Sequence, residues 1–118
     1  MGGSQSPSPY RSEVEEIIHS HKCVMFSTTY CPYCKRAKSL LEKMRVTPHI
    51  LELNNHPKGN EYWQALKEIT NQETVPNIFI GGVHIGGYSE LLQGVRQGTV
   101  QKHFMRIGLD YYDIINEL

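Results

Sequence analysis

The tetrapeptide Cys31-Pro32-Tyr33-Cys34 constrains this chain more than any other stretch. An apolar run, Cys23-Val24-Met25-Phe26, and a short polar link, Ser27-Thr28-Thr29-Tyr30, come before it. The segment from Lys35 to Met44 has helical composition. Strand, turn, CxxC and helix in that order form a setting for thiol redox chemistry. A helix N-terminus carries roughly half a positive charge and several unpaired N–H groups. A thiolate is stabilised there, and CxxC thiols so placed ionise at roughly 3.5–7.5 instead of ~8.5. Cys31, at the helix mouth, is therefore the candidate nucleophile. Cys34 lies one turn in, where burial is expected, and is the candidate for attacking a mixed disulfide formed on Cys31. Pro32 suits the first turn, where its missing N–H costs nothing.

A CxxC is also half of a zinc site, but tetrahedral zinc needs two further ligands. Cys23 lies inside the apolar run, no second CxxC or HxxxH follows, and His19 and His21 precede the strand. A structural disulfide across so short a loop would add little stability.

The 118 residues suffice for one domain with one core. Lys and Arg total 12, Asp and Glu total 12, and the formal net charge is zero, so no general field draws nucleic acid or an anionic membrane. No apolar run reaches the length of a membrane span, and the sequence does not start with a basic region followed by an apolar one. Three cysteines, two of them in redox spacing, suit a reducing compartment, and a cytoplasmic location is expected.

Residues 1–11, rich in Gly, Ser and Pro, read as a flexible tail. Met1-Gly2 with Ser6 fits the permissive N-myristoylation pattern, although an inert tail is the favoured reading. Ser12-x-x-Glu15 reads as a capping box opening a helix to about Ser20. A buried strand is expected over Lys22–Ser27, with Cys23 as a small core residue, and a helix over Pro32–Arg45 with Leu40, Leu41 and Met44 on its apolar face. A second strand at His49–Leu53 leads to a helix over Asn60–Thr70, with Trp63, Leu66, Ile69 and Tyr62 facing inward. Strands Asn77–Ile80 and Val83–Ile85 flank a Gly81-Gly82 hairpin turn. Helices follow at about Ser89–Gln97 and Thr99–Ile107. This gives an α/β domain over residues 12–108, a four-stranded mixed sheet with helices on both faces, and an unplaced extension, residues 109–118. His49 and His84 read as strand histidines satisfied locally.

Phe26, Cys31-Pro32-Tyr33-Cys34, Thr74-Val75-Pro76 and Gly86-Gly87-Tyr88-Ser89-Glu90 together resemble the blocks of a dithiol glutaredoxin, in that family's order and spacing. The resemblance runs from about Val14 to Ile107 and implies the thioredoxin fold and glutathione-dependent disulfide reduction, above all of protein–glutathione mixed disulfides. It implies Cys31 as nucleophile and Cys34 as resolving thiol. It also implies a cis Pro76 facing the site, so that the backbone of Val75 can pair with glutathione like a short added strand. Thr74 belongs to the same block. Gly87 then admits close approach of the ligand, and the helix begun by Tyr88, Ser89 and Glu90 suits the γ-glutamyl carboxylate. Glu90 can pair with the ligand's ammonium group, and Tyr33 lines the groove.

Three departures weaken the glycine end of that groove. Thr28 stands where the family usually has Lys or Arg, Trp63 where Gln is usual, with Gln64 next door, and Glu73 where a basic residue is common. An exposed ion pair there is worth about 1 kcal/mol, which predicts a raised KM for glutathione or another thiol partner. The Thr28 hydroxyl, Lys35, Arg36 and Gln64 are the candidate substitutes. Ile69–Phe79 and, faintly, Asp110–Ile115 also resemble the glutaredoxin module of thioredoxin–glutathione reductases. No Gly-rich nucleotide fingerprint follows, so a lone or excised domain is expected. The implied enzyme needs no tightly bound cofactor. Glutathione is its cosubstrate, glutathionylated or disulfide-bonded proteins are its partners, and a monomer is expected. Two rival readings are a thioredoxin-like reductase using another dithiol donor and a glutathione-ligated iron–sulfur carrier. Pro32 argues against the second.

Overall fold

A computed structural model describes residues 8–118. The fold follows from one alternating pattern. Strand β1, Cys23–Ser27, is buried along its whole length. Side chains of a strand point alternately to opposite faces. Cys23 and Met25 therefore enter one core and Val24 and Phe26 the other. Strand β3, Asn77–Ile80, repeats the split, with Ile78 and Ile80 on the first side and Phe79 on the second, where it meets Phe26 edge-on at 6.0 Å.

The sheet has four strands in the order β2-β1-β3-β4, where β2 is His49–Glu52 and β4 is Val83–Gly86. β1 pairs parallel with β2 and antiparallel with β3, and β3 pairs antiparallel with β4. The mixed sheet covered on both faces is as expected. Helix α1, Arg11–Ser20, and helix α3, Gly59–Thr70, cover one face through Val14, Ile18, Tyr62, Ala65 and Leu66. Helices α2 (Pro32–Lys43), α4 (Tyr88–Gln97) and α5 (Thr99–Arg106) supply the other core.

The start of α1 differs from the sequence reading. Arg11 is already helical, Tyr10 occupies the cap position, and no side chain caps the helix. Glu15 meets Arg11 at 3.4 Å in place of reaching back to Ser12. The reason is a turn just upstream: Arg11 N–H donates to the Ser8 carbonyl (3.0 Å), and Tyr10 packs its ring on Tyr62. Part of the expected tail, residues 8–11, is therefore folded. The myristoylation pattern and the rest of that tail lie outside the described residues.

In α3, Tyr62 is buried as expected, whereas Trp63, also expected to face inward, is only half-buried. Tyr62 keeps its hydroxyl satisfied by donating to Glu13 (2.8 Å), which also holds Lys58 (3.0 Å) and so ties α1 to α3.

The extension that sequence left unplaced belongs to the core. Ile114 is 2% exposed, and Tyr111 lies against Phe104. Tyr112 N–H donates to the Met44 carbonyl (2.8 Å), and the Arg45 guanidinium lies 4.9 Å over the Tyr112 ring. Gln101, buried on α5, donates to Asp113 (3.2 Å), and a short 3-10 turn, Ile115–Glu117, ends the chain.

Candidate active site

The register of the sheet assembles the site. Phe26 at the end of β1 lies opposite Asn77 at the start of β3, so the link leaving β1 and the loop entering β3 meet at one edge. Gly86, at the end of β4, pairs with Ile78 and delivers the N-terminus of α4 to the same edge.

Cys31 is the N-cap of α2, with extended backbone (φ −87°, ψ 117°), and it is half-buried. The Cys34 N–H donates to Cys31 Sγ at 3.2 Å, one of the orphan donors of the helix end. Cys31 Sγ in turn lies 3.5 Å from the Val75 carbonyl, to which the thiol donates. A sulfur fixed between a helix amide and a strand-edge carbonyl can accept or donate, which suits a group that alternates between thiolate and disulfide. Cys34 is fully buried beneath it. Burial pushes the Cys34 thiol up to about 11, helped by its hydrogen bond with Cys31, while Ser27 and the Thr28 backbone pull the other way. Burial alone pushes the Cys23 thiol, inside β1, up to about 12. The two thiols of the CxxC thus differ in access, Cys31 half-buried and Cys34 fully buried.

The Val75–Pro76 peptide is cis. Two side chains that sequence reasoning missed, or misread, hold its loop. Gln72 Nε2 donates to the carbonyls of Thr74 (2.9 Å) and Pro76 (3.0 Å). Trp63, expected at the glycine end of a ligand groove, instead donates its indole N–H to the Glu73 carbonyl (2.6 Å). The signal for Gln72 was a long amide two residues before Thr74, a spacing that allows a side chain to bond its own loop. Beyond Pro76, Asn77 donates to Thr70 (3.3 Å), and its Oδ1 lies 2.8 Å from His84 Nε2, so His84 is satisfied locally as anticipated. His49 instead stacks on His21 at 3.8 Å.

Gly86 has φ +118°, and a Cβ there would stand 2.9 Å from Glu90 Cγ, so only glycine fits. A Cβ on Gly87 would approach the Pro76 carbonyl oxygen at 3.5 Å, which brings α4 against the proline loop. Glu90 Oε1 accepts from Gly87 N–H at 2.8 Å, so one carboxylate oxygen of Glu90 closes the helix start. Ser89 and Glu90 are exposed there, and the Tyr88 ring faces Tyr33 at 6.1 Å, with the Arg36 guanidinium 5.2 Å over Tyr33. Cys31, Tyr33, Val75, Pro76, Gly87 and Tyr88 therefore belong to one edge of the molecule.

Thr28 does not take the part expected of it. It is 1% exposed, and its hydroxyl is sealed from solvent without a hydrogen-bond partner, because it directly follows the buried strand β1. Its carbonyl has a structural role, accepting from Cys31 N–H at 3.3 Å. Glu73, the acid in an expected basic position, is paired with Lys67, and that hydrogen bond holds its carboxyl below the usual range. Gln64 lines a shallow cleft with Trp63, Lys67 and Glu73. Among the described residues, no group of three or more His, Cys, Asp or Glu is placed to hold a metal.

The glutaredoxin family model matches residues 23–85, which include the CxxC, the proline loop and most of the sheet. Glutaredoxin-1 of Rhizophagus irregularis is 43% identical over 95 residues, covering 80% of this chain and 94% of the relative. Glutaredoxin-C4 of Arabidopsis thaliana is 39% identical over 102 residues, 86% of this chain and 76% of the relative. Among solved structures, the buckwheat glutaredoxin–glutathione complex superposes with a TM-score of 0.82 at 34% identity, covering 85% of this chain and 91% of that one.

Proposed function

This chain belongs to the glutaredoxin family of thiol–disulfide oxidoreductases, with the thioredoxin fold, and from that premise we propose that it reduces protein–glutathione mixed disulfides and protein disulfides at the expense of glutathione. The observation that carries the reading is the position of Cys31 Sγ, between the Cys34 amide at the mouth of α2 and the Val75 carbonyl. A peptide-like ligand laid along Val75 would bring its own sulfur to that point. The N-terminal amides of α4 offer donors for a carboxylate at the ligand's far end. Glu90 keeps one oxygen for an ammonium group, since the other is taken by Gly87 N–H.

In the proposed cycle, Cys31 thiolate attacks the glutathione sulfur of a protein mixed disulfide. The Cys31–glutathione disulfide forms, the protein–glutathione S–S bond breaks, and the protein thiolate leaves and takes up a proton. A second glutathione thiolate attacks the glutathione sulfur on Cys31, releasing glutathione disulfide and restoring Cys31 thiolate. With a protein disulfide, Cys31 thiolate attacks one sulfur to form a mixed disulfide, the protein S–S bond breaks, and the other sulfur leaves as a thiolate that takes up a proton. Cys34 then loses its proton and attacks Cys31 Sγ, freeing the attached half as a thiol and leaving a Cys31–Cys34 disulfide for two glutathiones to reduce. Tyr33, Thr74, Pro76, Gly87, Tyr88 and Ser89 shape the ligand trough in this scheme. Gln64, beside Trp63 and Lys67, remains as a polar group for the glycine carboxylate in place of the buried Thr28, whereas Lys35 and Arg36, the other candidates from sequence, lie on the α4 side with Tyr88.

The test is turnover of a small glutathione mixed disulfide, coupled through glutathione reductase to NADPH consumption. Turnover that requires glutathione and disappears in Cys31→Ser is expected. Turnover supported only by a different dithiol donor would overturn the proposal.

A further inference from the structure

A concavity lined in part by Tyr88 adjoins the candidate site. It is a cleft of about 460 Å³ between α2 and α4, with Leu40, Leu92 and Tyr88 as its apolar surface. Its charged side chains are all cationic, Lys35, Arg36 and Lys43, and Ser39 and Leu118 complete the lining. No Asp or Glu side chain lines it, and none of these three cations is ion-paired among the described residues. Lys35, Ser39 and Lys43 follow at four-residue steps along α2, so the two lysines stand on one ridge about 12 Å apart along the axis. The cations of α2 on its other side behave differently, for Lys38 meets Glu52 at 2.8 Å.

We propose that this cleft docks an acidic segment of the protein substrate, next to the cysteine being reduced, and so selects among disulfide-bearing proteins by charge. The inference rests on the function proposed above. Complementarity argues for the occupant. Three unpaired cations above an apolar floor match a stretch that carries Asp or Glu and one aliphatic or aromatic side chain. The geometry also sets its length. Cys31 and Lys43 are 12 residues apart along the helix, or about 18 Å at 1.5 Å per residue. An extended chain covers that distance in roughly five or six residues at ~3.3 Å each. The acidic residues therefore lie within about six positions of the target cysteine. Such a contact leaves reduction of a small mixed disulfide untouched, since a substrate without a flanking chain never enters the cleft.

The experiment compares two peptides, each carrying one cysteine disulfide-bonded to glutathione and differing only in a Glu-rich or Lys-rich flank. Wild type and Lys43→Glu are assayed with both peptides and with a small glutathione mixed disulfide. Wild type should favour the acidic peptide about five- to tenfold in kcat/KM at low salt, and 0.5 M salt should erase the preference, as screening requires. Lys43→Glu should remove or reverse the preference while leaving the small substrate unchanged. Equal rates on the two peptides in wild type, or a preference that survives Lys43→Glu, would overturn the docking proposal. A wild type that is dimeric in solution and becomes monomeric as Lys43→Glu would assign the cleft to a second copy and also overturn it. Failure of the parent proposal looks different, because then the small mixed disulfide is not turned over with glutathione either.

Discussion

Replacing Cys34 by serine separates the two thiols more sharply than any other change. A thiol pushed up to about 11 is ionised at pH 7 in about one molecule in ten thousand. Such a group contributes almost no nucleophile of its own. In the proposed cycle it acts only once a disulfide has formed on Cys31, one helical turn away. Cys34→Ser should thus leave kcat/KM for a small glutathione mixed disulfide within about twofold of wild type, whereas Cys31→Ser should reduce it to background. Reduction of a protein disulfide, which needs the second thiol, should fail in both variants. The same reasoning predicts alkylation rates. An ordinary unfolded cysteine near ~8.5 is a few per cent thiolate at pH 7, so Cys34 should react with iodoacetamide about 300-fold more slowly in the folded protein than in urea. Mass spectrometry of timed samples reads this directly. If Cys34→Ser lost mixed-disulfide turnover as completely as Cys31→Ser, or if folded Cys34 alkylated at the unfolded rate, the division of labour argued here would be wrong.

Gln72→Ala removes two hydrogen bonds to the proline loop, and at about 1 kcal/mol each should cost about 1–2 kcal/mol in urea denaturation. It should also raise KM for glutathione more than it lowers kcat, as the initial-rate assay would show. Ile114→Ala empties a fully packed position and should cost about 2–4 kcal/mol by the same denaturation measurement, a loss that an appended tail could not produce. Stability should also decline at high pH. The buried Cys23 thiol is raised to about 12, so the unfolded chain releases its proton first and folding weakens from about pH 9 upward until the folded thiol ionises. Cys23→Ala should flatten the fall in melting temperature between about pH 9 and 12, and an unchanged slope would count against the assignment.

The CxxC, the strand before it and the hairpin glycines were legible because each is a local signal with one physical meaning. The continuous apolar run over Lys22–Ser27 marked a buried strand, and its residues do divide between the two cores. What was not legible depended on neighbours distant in sequence. Ser12 has the local pattern of a cap, but the turn at Ser8 starts the helix one residue before it. Thr28 reads as a polar link residue, and only the depth of β1 shows that its hydroxyl faces inward. Trp63 and Gln72 act on a loop whose path sequence spacing does not reveal. The carboxy-terminal stretch has no periodicity, because successive residues take different anchors: Tyr111 on Phe104, Tyr112 on Met44 and Arg45, Asp113 on Gln101, and Ile114 in the core.

That anchoring has a practical side. With Tyr112 tied to the end of α2 and Leu118 at the margin of the cationic cleft, whatever is joined after residue 118 emerges beside that cleft. A purification tag or reporter fused at this terminus would shadow the surface where charged substrates are to be compared. One fused ahead of Ser8 leaves from the side of the sheet covered by α1 and α3, where Ser8 is held to Glu68.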